Sequence, residues 1–194
     1  ALINSIAAAT NIYIVNQEFT EYRYNALFAR INLNLKSQYI LNMTGRRDGS
    51  SRFGPDNRFA NFGAIGAAWL FSKNSIFLDS KVMSFGKLRS SFGTTGNDQI
   101  GDYQFLNTYG LAANNYNGVI GIQPLRLFNP SFGWETNKKL EVALDLGFFN
   151  DALFLTTAWF RNRSSSQLVG ETLPGTTGFS SILTNLDATV QNTG

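Results

Sequence analysis

The stretch Tyr39–Phe71, YILNMTGRRDGSSRFGPDNRFANFGAIGAAWLF, decides how this chain reads. It is an alternating run, then a polar, arginine-rich connection, then a second alternating run that reaches Trp69. Alternation sends successive side chains to opposite faces of a strand. In the first run Tyr39, Leu41 and Met43 share one face, while Asn42, Thr44 and Arg46 share the other, and the strand enters its connection near Arg47. In the second run Ile65, Ala67, Trp69 and Phe71 oppose Ala64, Gly66, Ala68 and Leu70. Small apolar side chains beside a strongly charged turn have little use in a water-soluble β-protein, but they suit a strand pair that crosses a membrane.

The same unit recurs along the chain. From Tyr24, Leu27, Ala29, Ile31, Leu33 and Leu35 fall on one face and Phe28, Arg30, Asn32, Asn34 and Lys36 on the other. A helix would mix Leu and Asn on every face, so a strand is expected. Leu88 and Phe92 oppose Lys87 and Arg89 within 85–93, and TTGN at 94–97 reads as a turn. In 133–149, Trp134, Thr136, Lys138, Leu140, Val142, Leu144, Leu146 and Phe148 oppose Glu135, Asn137, Lys139, Glu141, Ala143, Asp145 and Gly147. Asn150-Asp151 reads as a tight hairpin turn, with Leu153–Arg163 running back. A strand tip is expected at Ile12–Val15, a loop over 16–23 and a last strand over 186–194.

Connections at 36–38 and 150–151 are short, and those at 47–58, 98–130 and 164–185 are long. Residues 72–83 form an enlarged short-side turn, in which Phe77, Leu78, Val82 and Met83 suggest one amphipathic helical turn. Segment 98–130, rich in Asn, Gly and Tyr, is expected to be a structured loop holding a small hairpin. Membrane barrels have short periplasmic turns and long extracellular loops, so the alternation gives every connection a side. The expected fold is all-β, a fragment of a large antiparallel transmembrane barrel. Six or seven strands with unpaired edges would leave backbone groups unsatisfied in lipid, each costing several kcal/mol.

Composition agrees. Of 194 residues, 43% are hydrophobic, 14% aromatic and only 15% charged, with 18 glycines. Aromatic-rich, glycine-rich and charge-poor chains include girdled barrels and also aromatic-rich sandwiches. The net charge of +3 is small and scattered, which argues against nucleic-acid binding. There is no Cys and no His, which removes disulfides, thiolate metal sites and the commonest general base. No run approaches the ~18 apolar residues of a membrane-crossing helix. Ala1–Thr10 lacks a basic n-region and is a poor signal peptide, so the chain reads as starting inside a longer protein.

Taken in order, RRDGSSRFGPDNRFANF (46–62), Trp69, KLRSSFGTTGND (87–98), NPSFGWE (129–135), GFFNDAL (147–153) and NLDATVQNTG (185–194) resemble the C-terminal barrel of SusC/RagA-type TonB-linked outer-membrane transporters. The resemblance spans about 24–194. It departs where Gly63 replaces a frequent Pro, where Leu70 follows Trp69 in place of Arg, and where Ser72-Lys73 replaces an acidic pair. It implies a parent barrel of about 22 strands with a plugged lumen. It implies residues 1–194 as part of the barrel domain, with the plug and TonB box elsewhere. Its implied partners are TonB of the inner-membrane energising complex and a SusD-like surface lipoprotein lying over the mouth as a lid. The implied activity is import of oligosaccharides or peptides across the outer membrane of a Gram-negative bacterium. Two other readings stand beside it: a barrel serving as a structural or docking scaffold, and a soluble β-sandwich binding module.

Particular residues have competing readings. Arg46, Arg47, Asp48, Arg52, Asp56 and Arg58 suit an acidic ligand, but a charge network that stiffens a loop is preferred. Tyr103, Phe105, Tyr109 and Tyr116 are candidate ligand or lid contacts, against packing of the loop on itself. Asp98 and Asp102 lack a dense calcium-loop spacing and read as turn residues. Trp69, Trp134 and Trp159 end apolar faces and read as membrane-interface anchors. Glu135 and Glu141 lie ~20 Å apart along one strand, too far for a glycosidase pair, so no enzyme, cofactor or metal site is expected.

Overall fold

The computed structural model describes residues 19–74, 77, 80 and 82–194. These form strands β1 (Tyr24–Leu35), β2 (Tyr39–Ser50), β3 (Phe59–Trp69), β4 (Met83–Asn97), β5 (Tyr109–Tyr116), β6 (Val119–Pro124), β7 (Glu135–Phe148), β8 (Leu153–Thr172) and β9 (Ser181–Thr193). One seven-stranded antiparallel sheet runs β1-β2-β3-β4-β7-β8-β9, and β5-β6 is a separate hairpin within the long connection after β4. The sheet is open. No second sheet packs on it among the described residues, so the sandwich alternative is not the fold that forms.

Register carries the two faces across the whole sheet. Leu33 pairs with Leu41, Leu41 with Ala67, Ala67 with Ser90, Ser90 with Val142 and Val142 with Trp159. The next row towards the short turns is Leu35, Tyr39, Trp69, Leu88, Leu144 and Thr157. Directly paired residues point the same way, so these rows make one apolar face. The opposite face holds Arg30, Asn42, Arg89 and Glu141. There Arg89 bonds Glu141 at 2.6 Å and approaches Asp145 at 3.4 Å, a charge cluster on a wall rather than in a core.

The strands run further than the sequence pattern suggested. β2 continues to Ser50, so Arg46, Arg47 and Asp48 lie on a paired strand and the connection is 51–58. TTGN belongs to β4, with Thr94 opposite Lys138 and Asn97 opposite Glu135, and is no turn. β8 extends to Thr172 and β9 starts at Ser181, which shrinks the expected 164–185 loop to 173–180. A membrane strand needs only about 9–11 residues. Beyond that length, polar composition stops signalling a loop, because the ladder pairs polar residues equally well in water.

At the short-turn end, residues Phe149, Asn150 and Asp151 take positive φ, so the hairpin is wider than the Asn150-Asp151 pair alone. Phe71 lies in a 3-10 turn, Phe71–Lys73, rather than on β3, and Met83 begins β4. Leu78 of the expected helical turn and the strand tip at 12–15 lie outside the described residues.

Tight glycines hold the long-loop end together. A Cβ on Gly96 would sit 2.1 Å from the Phe62 ring, whereas one on Gly170 meets nothing within 4 Å. Gly96→Val should therefore displace Phe62 and destabilise the assembled receptor by about 1–3 kcal/mol. Gly170→Val should leave its heat-modifiable gel mobility unchanged. Equal loss of folded band for both would contradict this packing.

Candidate functional site

The only fully enclosed large side chains among the described residues gather at the long-loop end. Phe53 and Phe132 are 0% and 1% exposed. The Phe53 ring lies 4.9 Å from Trp134 and 6.2 Å from Phe132, and Phe62 meets Trp134 edge-on at 5.7 Å. Trp134 Nε1 donates to the Arg58 carbonyl at 3.3 Å, and Asn57 Nδ2 donates to the Phe132 carbonyl at 3.2 Å. Asn185 of β9 bonds both backbone groups of Gly133 at 2.9 Å. The NPSFGWE segment is thus pinned to the 51–58 loop on one side and to β9 on the other. Trp134 belongs to this cluster and packs on the polar-face residue Phe62, which removes it from the expected anchor positions. Trp69 and Trp159 do sit on the apolar face, Trp69 stacked on Tyr39 at 6.4 Å.

The expected charge network splits into two clamps and three bystanders. Arg46 Nε donates to both oxygens of Asp48 at 2.5 and 2.7 Å, and its Nη2 donates to Tyr24 Oη at 2.5 Å. Arg52 Nε donates to Asp102 Oδ1 at 2.9 Å and its Nη1 to the Asp98 carbonyl at 2.9 Å, with the guanidinium 4.3 Å over the Tyr22 ring. Tyr22 Oη donates to Asp98 Oδ2 at 2.7 Å. Arg47 points to the apolar face over Phe59, and Asp56 and Arg58 are exposed, without side-chain ion pairs among the described residues. Asp98 and Asp102 are therefore partners of Arg52 and Tyr22. No group of three residues able to ligate a metal ion occurs among the described residues.

The aromatic set divides as well. Tyr103 Oη accepts from the Glu21 amide at 2.9 Å, and Phe105 lies over Gly54, so both pack the loop on its neighbours. Tyr109 and Tyr116 stand out on β5-β6, where Leu111, Val119 and Ile122 are also exposed; Tyr116 reaches 88%.

Between clamp and cluster, on the polar face, lies a cavity of about 390 Å³ lined by Tyr24, Arg46, Asp48, Phe62, Asp98 and Trp134. It combines ring faces with a neutralised ion pair, the chemistry of a polar-ligand pocket. Phe53, Phe62 and Phe132 were not singled out by sequence reasoning. Their signal was only that NPSFGWE and the 51–58 loop both carry aromatics between turn residues. Glu135 accepts from Asn97 at 3.1 Å and Glu141 from Arg89 at 2.6 Å.

An antiparallel sheet with one apolar and one charged face, closed over at a single end by loops, is the wall of a membrane barrel receptor. Residues 3–194 match the family model described as TonB dependent receptor-like, beta-barrel, and the chain belongs to that family. TonB-dependent receptor P39 of Formosa agariphila is 33% identical over 184 residues, covering 95% of this chain and 18% of that protein. TonB-dependent receptor SusC of Bacteroides thetaiotaomicron is 29% identical over 174 residues, covering 86% and 17%. The RagAB peptide importer in its closed-closed state superposes with a TM-score of 0.81 at 29% identity, over 90% of this chain and 19% of that one. The siderophore receptor PirA of Pseudomonas aeruginosa, at 15% identity and TM-score 0.54, shares the fold. The chain spans less than a fifth of the curated relatives named here. Barrels of this family sit in the outer membrane, which makes the apolar face the lipid side and the charged face the lumen.

Burial first, and the Asp98 hydrogen bond second, raise the Tyr22 phenol above its ordinary value. The tie to Asp98 is then fully present below pH ~10 and lost as the pH rises through the raised value. Tyrosinate absorbance should show a late-titrating component that shrinks by one phenol in Tyr22→Phe and moves partly to lower pH in Asp98→Asn. Arg52→Gln should expose 51–58 and 98–108 to limited proteolysis several-fold faster, with a stability change of no more than ~1 kcal/mol. An unchanged cleavage rate would remove the clamp from the account.

Proposed function

We propose that this chain is barrel wall of a TonB-dependent outer-membrane importer of oligosaccharides or peptides. In the whole protein, residues 1–194 form one part of the barrel domain, and a plug and a TonB box come from other parts of the chain. Substrate enters at the loop-covered mouth, and work transmitted by TonB moves the plug to open the lumen. The observation that carries the reading is the two-faced sheet with its aromatic and ion-paired cavity at the mouth end of the lumenal face. The structural neighbour RagAB is described as a peptide importer, which supports the peptide half of the substrate class.

A SusD-like surface lipoprotein is the proposed lid. Hairpin β5-β6 stands apart from the sheet and presents Leu111, Tyr116, Val119 and Ile122 to solvent at the long-loop end. Apolar patches on a water-exposed loop mark contact surfaces. Tyr109 and Tyr116 are accordingly lid contacts, while Tyr103 and Phe105 hold the loop.

In cells carrying the whole receptor, deletion of its gene should abolish uptake of a labelled oligosaccharide or peptide pool, and collapse of the proton gradient should do the same. Replacing Leu111, Tyr116, Val119 and Ile122 by Ser should reduce co-purification of the lipoprotein at least ten-fold while the barrel still inserts. Uptake that survives loss of the gradient would contradict energised import. Lipoprotein binding without any uptake would favour the scaffold reading instead.

A further inference from the structure

One group of charges has no place in the lumen or in the loop clamps. On the lipid face, register sets Lys138 of β7 directly opposite Arg163 of β8, and Leu140 opposite Arg161. Arg161 and Arg163 are two residues apart and therefore share that face. Both guanidinium groups donate through Nε to the same oxygen, Oε1 of Gln191, at 2.9 and 2.8 Å. Gln191 is itself the β9 partner of Arg163. None of the three cations has an ion pair among the described residues. The acids of β7, Glu135, Glu141 and Asp145, face the lumen, and Asp187 farther along β9 forms no ion pair with the group.

Like charges directly opposite in a β-ladder are destabilising, and here a third cation is added and two are drawn to one neutral acceptor. Depth makes the arrangement specific. From Leu153 near the short turn, β8 climbs ~26 Å to Arg161 at about 3.3 Å per residue, or roughly 20 Å of height at a strand tilt near 40°. Arg161 therefore sits high in an apolar band about 25 Å tall and Arg163 with Lys138, two residues further, at its outer rim, above Val142, Leu144 and Trp159. Arginine near the interface is tolerated far better than at the midplane. Planar guanidinium groups match phosphate oxygens in bidentate fashion, and a shared glutamine holds the two forks side by side.

We infer that Lys138, Arg161 and Arg163, ordered by Gln191, form a binding site for a phosphate group of a glycolipid in the outer leaflet, with its acyl chains lying on Val142, Leu144 and Trp159. The inference rests on the outer-membrane reading above. The phosphate chemistry is shared with free inorganic phosphate, and the apolar surface directly beneath the cations favours the lipid.

The test uses the whole receptor purified in detergent, with bisphosphorylated lipid A, its dephosphorylated form and inorganic phosphate as separate probes. Wild type should bind bisphosphorylated lipid A at least ten-fold tighter than the dephosphorylated form. Arg161→Gln/Arg163→Gln should lose that preference, and the single exposed-site variant Lys138→Gln should lose part of it. Millimolar inorganic phosphate should not displace the lipid. Equal lipid A binding by wild type and both variants would overturn the site, and displacement by inorganic phosphate alone would overturn the lipid assignment. Heat-modifiable mobility scores barrel formation separately. A wild-type chain that never forms a membrane barrel defeats the outer-membrane reading itself, whereas variants that form barrels and still hold lipid A defeat only this site.

Discussion

Backbone hydrogen bonding in lipid is the constraint on which the rest of the structure depends. Hydrocarbon offers no partner for an amide, so each strand must be paired along its full immersed length. The antiparallel ladder from β1 through β9 meets that demand within the described residues and leaves β1 and β9 as edges, which only further strands of a closed barrel can cover. Once the ladder is fixed, the pleat does the rest. A period of two gives every strand one side for lipid and one for the lumen, and in-register pairing aligns those sides across the sheet.

A sheet with lipid on one side and water or a plug on the other has no core of its own. That explains why its large buried side chains gather at the mouth. Phe53, Phe132, Phe62 and Trp134 are the nearest equivalent of a hydrophobic core, and they join the 51–58 loop to NPSFGWE. The Arg52 clamp to Asp98 and Asp102 ties the same loop to the start of the next one. These bonds are part-exposed and individually modest, about 1 kcal/mol or less each. Their joint effect is geometric, because they fix three segments around one cavity. The lumenal pair Arg46–Asp48 faces that cavity already neutralised.

The faces of the strands were legible in the sequence because alternation is a direct record of environment. Leu27 to Leu35, Leu140 to Leu146 and the Lys87/Arg89 side were assigned correctly from pattern alone. Strand ends were not legible. Arg46–Ser50, Thr94–Asn97 and Ser164–Thr172 look like loops, because outside the bilayer a ladder tolerates any polar residue that can pair. The mouth cluster was hidden for a different reason. Trp134 follows the β7 alternation as an outward residue, yet it precedes the strand and turns onto Phe62. Contacts between loops more than seventy residues apart leave no local period to read.

Depth finally separates residues that composition treats alike. Lys138 and Lys139 are neighbours, but the pleat sends Lys139 to the lumen opposite Gly93 and Asn162, and Lys138 to the lipid side opposite Thr94 and Arg163. Two lumenal cations on this wall are paired, Arg89 with Glu141 and Asp145 and Arg46 with Asp48, while Lys87 and Lys139 have no ion pair among the described residues and face the water-filled side. Lipid-side cations at the long-loop end have no ion pair among the described residues, and three of them, Lys138, Arg161 and Arg163, lie together over one apolar patch, while Arg47 stands apart over Phe59. A sequence selected only for solubility of its rim would place acids there too, or spread the charge. Uncompensated positive charge at one height and on one face is instead what a membrane with anionic headgroups at that height can offset. The same ladder that satisfies the backbone thereby also sorts charge by the solvent each side chain meets.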